Sequence, residues 1–158
     1  MRGSEFDEIE FFRCIALSKA RALLIGRQAL IALGIPVLTR DYDYWLHIDD
    51  IVAFNDAVSS LGLFPNRPAE EARAAGRFVL ENDERVDVLV ARSVPAVGGP
   101  RVAFEDVWPR RQALEVSPGV AVQLPCVEDL ILTKRFGARP KDAEDIRLLQ
   151  ELLRKERT

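Results

Sequence analysis

Three aspartates, Asp41, Asp43 and Asp87, are the residues whose types and spacing most directly suggest chemistry. Side chains two positions apart on a strand point to the same side, so Asp41 and Asp43 project together if 41–48 is extended. Asp87 interrupts the apolar run 85–91, and a buried strand rarely carries an unpaired aspartate. If the two strands are neighbours, three mutually repelling carboxylates would gather as a hard-oxygen site suited to Mg²⁺ or Mn²⁺.

A structural interpretation of the same aspartates stays open. In that interpretation Asp41 begins a strand, Asp43 lies on its solvated face, and Asp87 is a surface acid near a turn.

The segment before the aspartates favours a site. A short apolar run, 21–26, ends at Gly26 and is followed by a predicted helix that begins at Arg27. Glycine lets a ligand approach the backbone closely, and the start of a helix attracts anions. The turn therefore predicts an anion site about fifteen residues before the paired carboxylates, an arrangement typical of enzymes that handle a nucleoside triphosphate with magnesium.

Apolar periodicity and turn residues predict the elements that must position these side chains. The predicted elements are a helix over 7–20, a strand over 21–26, a helix over 27–33, a strand over 41–48, a helix capped at 49–50, strands over 77–80 and 85–91, strands over 113–116 and 120–124, and helices over 127–136 and from 140 onward. The stretches 64–75 and 93–100 are predicted to be a loop with a frayed helical turn and an exposed turn-rich segment. The order predicts an α/β (α+β) fold, a small mixed sheet flanked by helices with two C-terminal helices.

The composition bounds the setting. The 158 residues predict one domain, with an expression leader over 1–6, a core over 7–125 and a helical segment over 126–158 packed on it. The net charge of −3 argues against a large nucleic-acid footprint. No apolar run is long enough to span a bilayer and no signal peptide is apparent. With two isolated cysteines, predicted to be reduced, we expect a cytoplasmic protein without a membrane partner.

Several segments together carry a family resemblance. The run LIGR at 24–27, followed after thirteen residues by DYDY at 41–44, resembles the hG[GS]…DhDh signature of the DNA polymerase beta-like nucleotidyltransferase superfamily. The run TRDYD at 39–43 is similar to the version in small bacterial members, and Asp87 matches the third carboxylate. The segments 127–134 and 139–146 resemble the lysine-bearing helix and the RxKDxxD element of abortive-infection nucleotidyltransferases.

This resemblance covers about residues 20–150 and implies a nucleotidyltransferase-type fold and activity. It implies transfer of a nucleoside monophosphate from a nucleoside triphosphate, with Mg²⁺ or Mn²⁺, to a hydroxyl of RNA, a protein or a small molecule. A toxin–antitoxin or defence role with a cognate antitoxin or toxin partner is implied as well. The residues implied are Asp41, Asp43 and Asp87 as catalytic residues and metal ligands, with Gly26, Arg27, Lys134 and Asp145 at the nucleotide.

Arg27 departs from the family pattern, which has Gly or Ser at this position. Its side chain either binds the phosphate or plugs the turn, so a catalytically impaired protein that acts by binding a partner stays an alternative. The alternative interpretation of Lys134 is a solvent-exposed lysine on a helix. The neighbouring Asp142 fits a helix-start acid better than a site residue. His47 fits a strand end.

Trp45 and Trp108 could stack a base, but core or partial-core packing explains each of them more simply.

Overall fold

The computed structural model describes residues 6–96, 99–135 and 140–156. Apolar stripes at helical spacing form its helices, and short runs rich in Val, Leu and aromatic residues form its strands. The helices are α1 (Glu8–Ser18), α2 (Gly26–Ala32), α3 (Ile51–Ser59), α4 (Ala69–Ala75), α5 (Phe104–Val107), α6 (Val127–Arg135) and α7 (Pro140–Glu156). The strands are β1 (Ala22–Ile25), β2 (Tyr42–Leu46), β3 (Phe64–Pro65), β4 (Arg77–Glu81), β5 (Arg85–Leu89), β6 (Ser93–Ala96), β7 (Gly99–Ala103), β8 (Gln112–Ser117) and β9 (Val120–Leu124).

Five strands form a mixed sheet in the order β1-β2-β5-β4-β3. The central pair, β2 and β5, is parallel, and each of the other neighbouring pairs is antiparallel. Two further hairpins, β6–β7 and β8–β9, lie outside this sheet. The predicted α/β class with a mixed sheet is confirmed.

The two faces of the sheet bury different clusters, because successive strand residues alternate between them. Tyr42, Tyr44 and Leu46 of β2 join the large core that also contains buried residues of α1, α3, α6 and α7. Trp45 faces the other way, into a smaller cluster with residues of β6, β7 and α5. By the same alternation, Asp43 lies on the face of this smaller cluster.

Two predicted stretches fold differently from expectation. The predicted loop over 64–75 contains the edge strand β3 and the helix α4, of which only Ala72 is buried. Its two prolines fit this structure, since Pro65 lies on an edge strand and Pro68 directly precedes a helix. Within the predicted turn-rich segment 93–100, Ser93–Ala96 form β6 and residues from 99 onward belong to β7, with an irregularity in the pairing between Val94 and Ala96. Residues 97 and 98 lie outside the described residues.

The predicted leader and the cysteines also have structural counterparts. Phe6, assigned to the leader, packs its ring 5.2 Å from Phe11 and 5.4 Å from Tyr42, measured between ring centroids. Cys14 and Cys126 are both free thiols, as predicted. In the part of the chain that the structure describes, no helix is long and apolar enough to cross a membrane.

Candidate active site

Asp43 and Asp87 lie side by side on the two central strands. The parallel register pairs Asp43 with Asp87, between the pairs Tyr42–Val86 and Tyr44–Val88. Both of those flanking pairs are buried in the large core. Since neighbouring residues in register point to the same face, the two carboxylates emerge together on the opposite face.

The Gly26 turn lies directly against Asp43. Ile25, the last residue of β1, pairs with Asp43, and Gly26 follows with φ +68°. A Cβ added at Gly26 would lie only 2.5 Å from Asp43 Oδ2 and 3.2 Å from Asp43 Cβ. The turn therefore requires glycine twice, for its left-handed backbone and for the carboxylate that packs against it. It leads into α2, which has only seven residues.

Asp41 is close to this pair but apart from it. It precedes β2, is exposed, and its backbone N–H donates to Thr39 Oγ1 at 3.2 Å. Hydrogen bonding to Asp87 is the largest cause of the raised pKa of Arg85, and the charge of Asp41 is a smaller one. Within residues 6–96, 99–135 and 140–156, no three His, Cys, Asp or Glu side chains converge closely enough to hold a metal ion. The predicted gathering of three carboxylates is thus a pair, with Asp41 beside it.

Arg85 is a site neighbour that the sequence analysis did not identify. Its Nε donates to Asp87 Oδ2 at 3.3 Å and its Nη2 to Asp87 Oδ1 at 3.1 Å. The hydrogen bonds from the guanidinium to Asp87, followed by the charge of Asp87, raise the pKa of Arg85. The available signal was the spacing, since residues 85 and 87 share a strand face. Because Arg85 is more than half exposed, this contact contributes little to stability.

Arg27 and Asp145, both predicted to be nucleotide-binding, contact each other. Arg27 Nη2 lies 3.1 Å from Asp145 Oδ1, and Arg27 Nε donates to Asp145 Oδ2 at 3.3 Å. The third guanidinium nitrogen, Nη1, donates to the carbonyl of Leu38 at 3.2 Å. Asp145 is fully buried. The side chain of Arg27 is therefore engaged with α7 and with the loop before β2.

Other predicted candidates lie elsewhere or outside the described residues. The backbone of Lys134 belongs to α6, but its side chain is outside the part described. Asp142 is buried in the first turn of α7. His47 is buried at the other end of β2, where its Nε2 lies 2.6 Å from Glu105 Oε1.

Neither tryptophan is placed to stack a base in the described structure. Trp45 is fully buried and donates to the carbonyl of Ala91 at 2.8 Å. Trp108 stacks on Phe104, with 5.8 Å between ring centroids, and Arg111 covers its ring at 3.8 Å. Both contacts fit the packing interpretation.

The carboxylates present fit a magnesium site in which the substrate and water would supply the remaining ligands. Mg²⁺ in nucleotide enzymes is commonly held by one or two carboxylates, with water and substrate phosphates supplying the remaining oxygens. Asp43 and Asp87 provide two such carboxylates, and the missing Cβ of Gly26 leaves the backbone open beside them. A closed protein cage of three or more ligands is not needed for this chemistry.

Solved structures similar to this chain include nucleotidyltransferases. The antibiotic-resistance factor ANT(2″)-Ia, in complex with adenylyl-2″-tobramycin, superposes with a TM-score of 0.63 at 19% identity, covering 94% of this chain and 88% of that one. The lincosamide adenylyltransferase LnuA, bound to lincomycin, gives a TM-score of 0.61 at 14% identity over 93% and 98%. A Thermotoga maritima protein described as a nucleotidyltransferase gives 0.61 at 14% identity over 90% and 89%.

No protein-family model matches the sequence, and no curated protein matches it significantly. The likeness to the solved structures shows that the chain has the nucleotidyltransferase fold.

Proposed function

We propose that this chain transfers a nucleoside monophosphate from a nucleoside triphosphate to a hydroxyl group of a small molecule. The observation that carries the proposal is the registered pair Asp43–Asp87, packed against the Gly26 turn in a chain with this fold. Two adjacent carboxylates repel each other unless a cation lies between or beside them. Arg85 already contacts Asp87, and a nucleotide that arrives with a divalent cation would add further positive charge at the pair.

Asp43 and Asp87 would hold the cation, Mg²⁺ or Mn²⁺, which neutralises charge on the triphosphate when bound. Asp41, two residues before Asp43, is placed to support the same cation through water or directly. The acceptor oxygen forms a bond to the α-phosphorus while the bond to pyrophosphate breaks. Asp87, with its side chain 26% exposed, is the group placed to accept the proton of the acceptor hydroxyl.

A small-molecule acceptor is favoured by the solved relatives and by the charge of the chain. ANT(2″)-Ia is complexed with adenylyl-2″-tobramycin, and the lincosamide adenylyltransferase LnuA is bound to lincomycin. The net charge of −3 argues against a large basic surface for RNA. RNA and protein acceptors, including those expected of a toxin–antitoxin system, are outcomes that the experiment separates.

The experiment is a transfer assay with each nucleoside triphosphate labelled at the α-phosphate, Mg²⁺ or Mn²⁺, and separate pools of small hydroxyl compounds, RNA and protein. We expect label on a small molecule, with Asp43→Asn reducing transfer at least about 100-fold. Asp56→Asn, an exposed aspartate on α3, is the matched control and should transfer like the parent. Label on RNA or protein alone would contradict the small-molecule acceptor, and no label in any pool would contradict transfer.

One observation favours a second candidate, a nucleotide-binding protein that does not transfer. Arg85 pairs with both oxygens of Asp87, the position a cation would occupy. The variant Arg85→Gln distinguishes the two candidate functions. If the contact blocks the site, this variant gains transfer that the parent lacks. If Arg85 simply moves aside when the cation binds, the parent already transfers.

A further inference from the structure

Arg27 uses all three of its guanidinium nitrogens within the protein. Nε donates to Asp145 Oδ2 at 3.3 Å, Nη2 lies 3.1 Å from Asp145 Oδ1 in an ion pair, and Nη1 donates to the carbonyl of Leu38 at 3.2 Å. One planar guanidinium makes these three contacts at once, which a lysine ammonium cannot do. Asp145 is fully buried and lies 118 residues along the chain from Arg27. A buried carboxylate needs a countercharge, so the ionic contact is part of the folded structure.

This contact bears on the candidate site because Arg27 lies next to the Gly26 turn. Arg27 directly follows Gly26, whose backbone packs on Asp43, and Leu38 stands three residues before Asp41. The side chain of Leu38 is 88% exposed, so packing of that side chain does not fix this part of the loop. The hydrogen bond from Arg27 to its carbonyl therefore ties the loop before β2 to the Gly26 turn.

We propose that Arg27 is a positioning residue and not a phosphate ligand. With Asp145 it forms a clamp that joins α7, the first turn of α2 and the segment 38–41. The clamp fixes Asp41 in place beside the pair Asp43–Asp87. The expected effect of the clamp on transfer rests on the proposed function. The clamp itself is a contact outside the carboxylate pair that holds Asp41 in position.

Conservative substitutions separate the two roles. A phosphate ligand needs a positive charge, which Arg27→Lys retains. A clamp needs three donors in one plane, which Arg27→Lys removes. Asp145→Asn removes the charged anchor but leaves the cation of Arg27 in place, so it should spare or increase phosphate affinity if Arg27 is a ligand. If Arg27 is a clamp, Asp145→Asn should resemble the Arg27 variants.

Arg110 and Asp129 provide a matched control. Arg110 Nε and Nη2 donate to the two oxygens of Asp129 at 3.0 and 3.1 Å, and Asp129 is only 3% exposed. This pair also joins an arginine to a buried carboxylate, through two hydrogen bonds, but it connects other elements. Arg110→Lys therefore reports what loss of such a pair does to stability alone.

The experiment measures kcat and KM for the nucleoside triphosphate in Arg27→Lys, Arg27→Gln, Asp145→Asn and Arg110→Lys. We expect kcat to fall about 10- to 100-fold in the first three, with KM within about 3-fold of the parent, because misplacement of a site group affects turnover more than binding. Arg110→Lys should keep the parent kcat. Parental kcat in Arg27→Lys or Asp145→Asn, or a raised KM in Arg27→Gln alone, would overturn the clamp.

Hydrogen exchange of the backbone amides over 35–42 tests the clamp without any assumption about activity. We expect faster exchange there in Arg27→Lys and Asp145→Asn, and parental exchange in Arg110→Lys. Unchanged exchange in the first two variants would overturn the clamp even if transfer is found. Faster exchange in those two variants, with a parent protein that transfers nothing, would keep the clamp and reject the proposed function. If Asp145→Asn does not fold, the Arg27→Lys result decides.

Discussion

Gly26 is the residue whose replacement should affect the site most locally. In Gly26→Ala the new Cβ would lie 2.5 Å from Asp43 Oδ2, so the Asp43 carboxylate must shift from its position. The left-handed backbone, φ +68°, adds a strain of about 1–2 kcal/mol for a residue with a Cβ. We expect a loss of about this size in the free energy of unfolding, measured by denaturant titration, together with loss of nucleotide transfer.

Gly119→Ala separates the two effects of that substitution. Gly119 has φ +77° in the β8–β9 turn, but among the described residues, its chain neighbours aside, no atom lies within 4 Å of the place a Cβ would take. It should therefore show the backbone cost while keeping transfer. Equal loss of transfer in both variants would mean that the contact between Gly26 and Asp43 is not what matters.

Asp50 should give the protein a pH-dependent part of its stability. It accepts hydrogen bonds from the backbone N–H and the Nε of Arg21, both at 2.8 Å, and from its Nη2 at 3.0 Å. The side-chain hydrogen bond from Arg21 is the main cause that lowers the pKa of Asp50 below its ordinary value. A lowered pKa in the folded state means that this stabilisation is complete above the unfolded-state pKa and is lost as pH falls through the folded-state pKa.

We therefore expect Asp50→Asn to lower the free energy of unfolding by about 1.5–3 kcal/mol near neutral pH. The difference from the parent should hold down to about pH 5 and shrink below about pH 4. Urea titrations across this range would measure it, with the exposed neighbour Asp49→Asn as a control that changes stability by less than about 0.5 kcal/mol. A difference that grows on acidification would contradict the assignment.

Residue-level features were predictable where they depend on local alternation. Strand parity places Asp43 and Asp87 on the sheet face opposite Tyr42, Tyr44, Val86 and Val88, and their adjacency follows once the strands are neighbours. The contact between Arg27 and Asp145 was not predictable, because it joins residues 118 positions apart. No local pattern indicates where a long cation will find its carboxylate.

At the scale of elements, the β6–β7 hairpin and α5 cover the sheet face that carries Asp43. Phe104 is 3% exposed and packs edge-on to Trp45, with 5.4 Å between ring centroids. We expect Phe104→Ala to cost about 3–5 kcal/mol in the free energy of unfolding, because it leaves a cavity in a small cluster. Denaturant unfolding followed by tryptophan fluorescence would measure it.

Phe64→Ala is the control for that loss, since Phe64 lies on the edge strand β3 and is 60% exposed. Its replacement should change stability by less than about 0.5 kcal/mol. Similar losses in both variants would contradict the assignment of Phe104 to the buried part of the smaller cluster.

The sequence pattern missed this hairpin for a physical reason. Residues 93–100 contain Pro95, Pro100 and two glycines, which local rules assign to turns. A two-stranded ribbon has free edges, so prolines are tolerated there without loss of a ladder hydrogen bond. Helix α4 was predicted only as a frayed turn within a loop, because only Ala72 is buried and a helix needs a longer apolar stripe to be recognised from sequence.

At the scale of the whole molecule, the mixed sheet and the order of its principal elements were predictable from periodicity. The sheet order β1-β2-β5-β4-β3 was not, since it depends on which strands pair across intervening helices. That order is what makes β2 and β5 parallel neighbours and brings Asp43 next to Asp87. The two acids are visible in the sequence, but their adjacency in the candidate site depends on the sheet topology.

The rise in melting temperature caused by Mn²⁺ plus a nucleoside triphosphate tests directly whether Asp43 and Asp87 bind a metal–nucleotide pair. It is measured in the parent, Asp43→Asn, Asp87→Asn and the double variant. Binding to the folded state alone raises the melting temperature by mass action. If the two carboxylates bind the metal–nucleotide pair together, each single variant loses most of the rise and the double variant loses little more. A parental rise in Asp43→Asn and Asp87→Asn would place the nucleotide elsewhere and contradict the account.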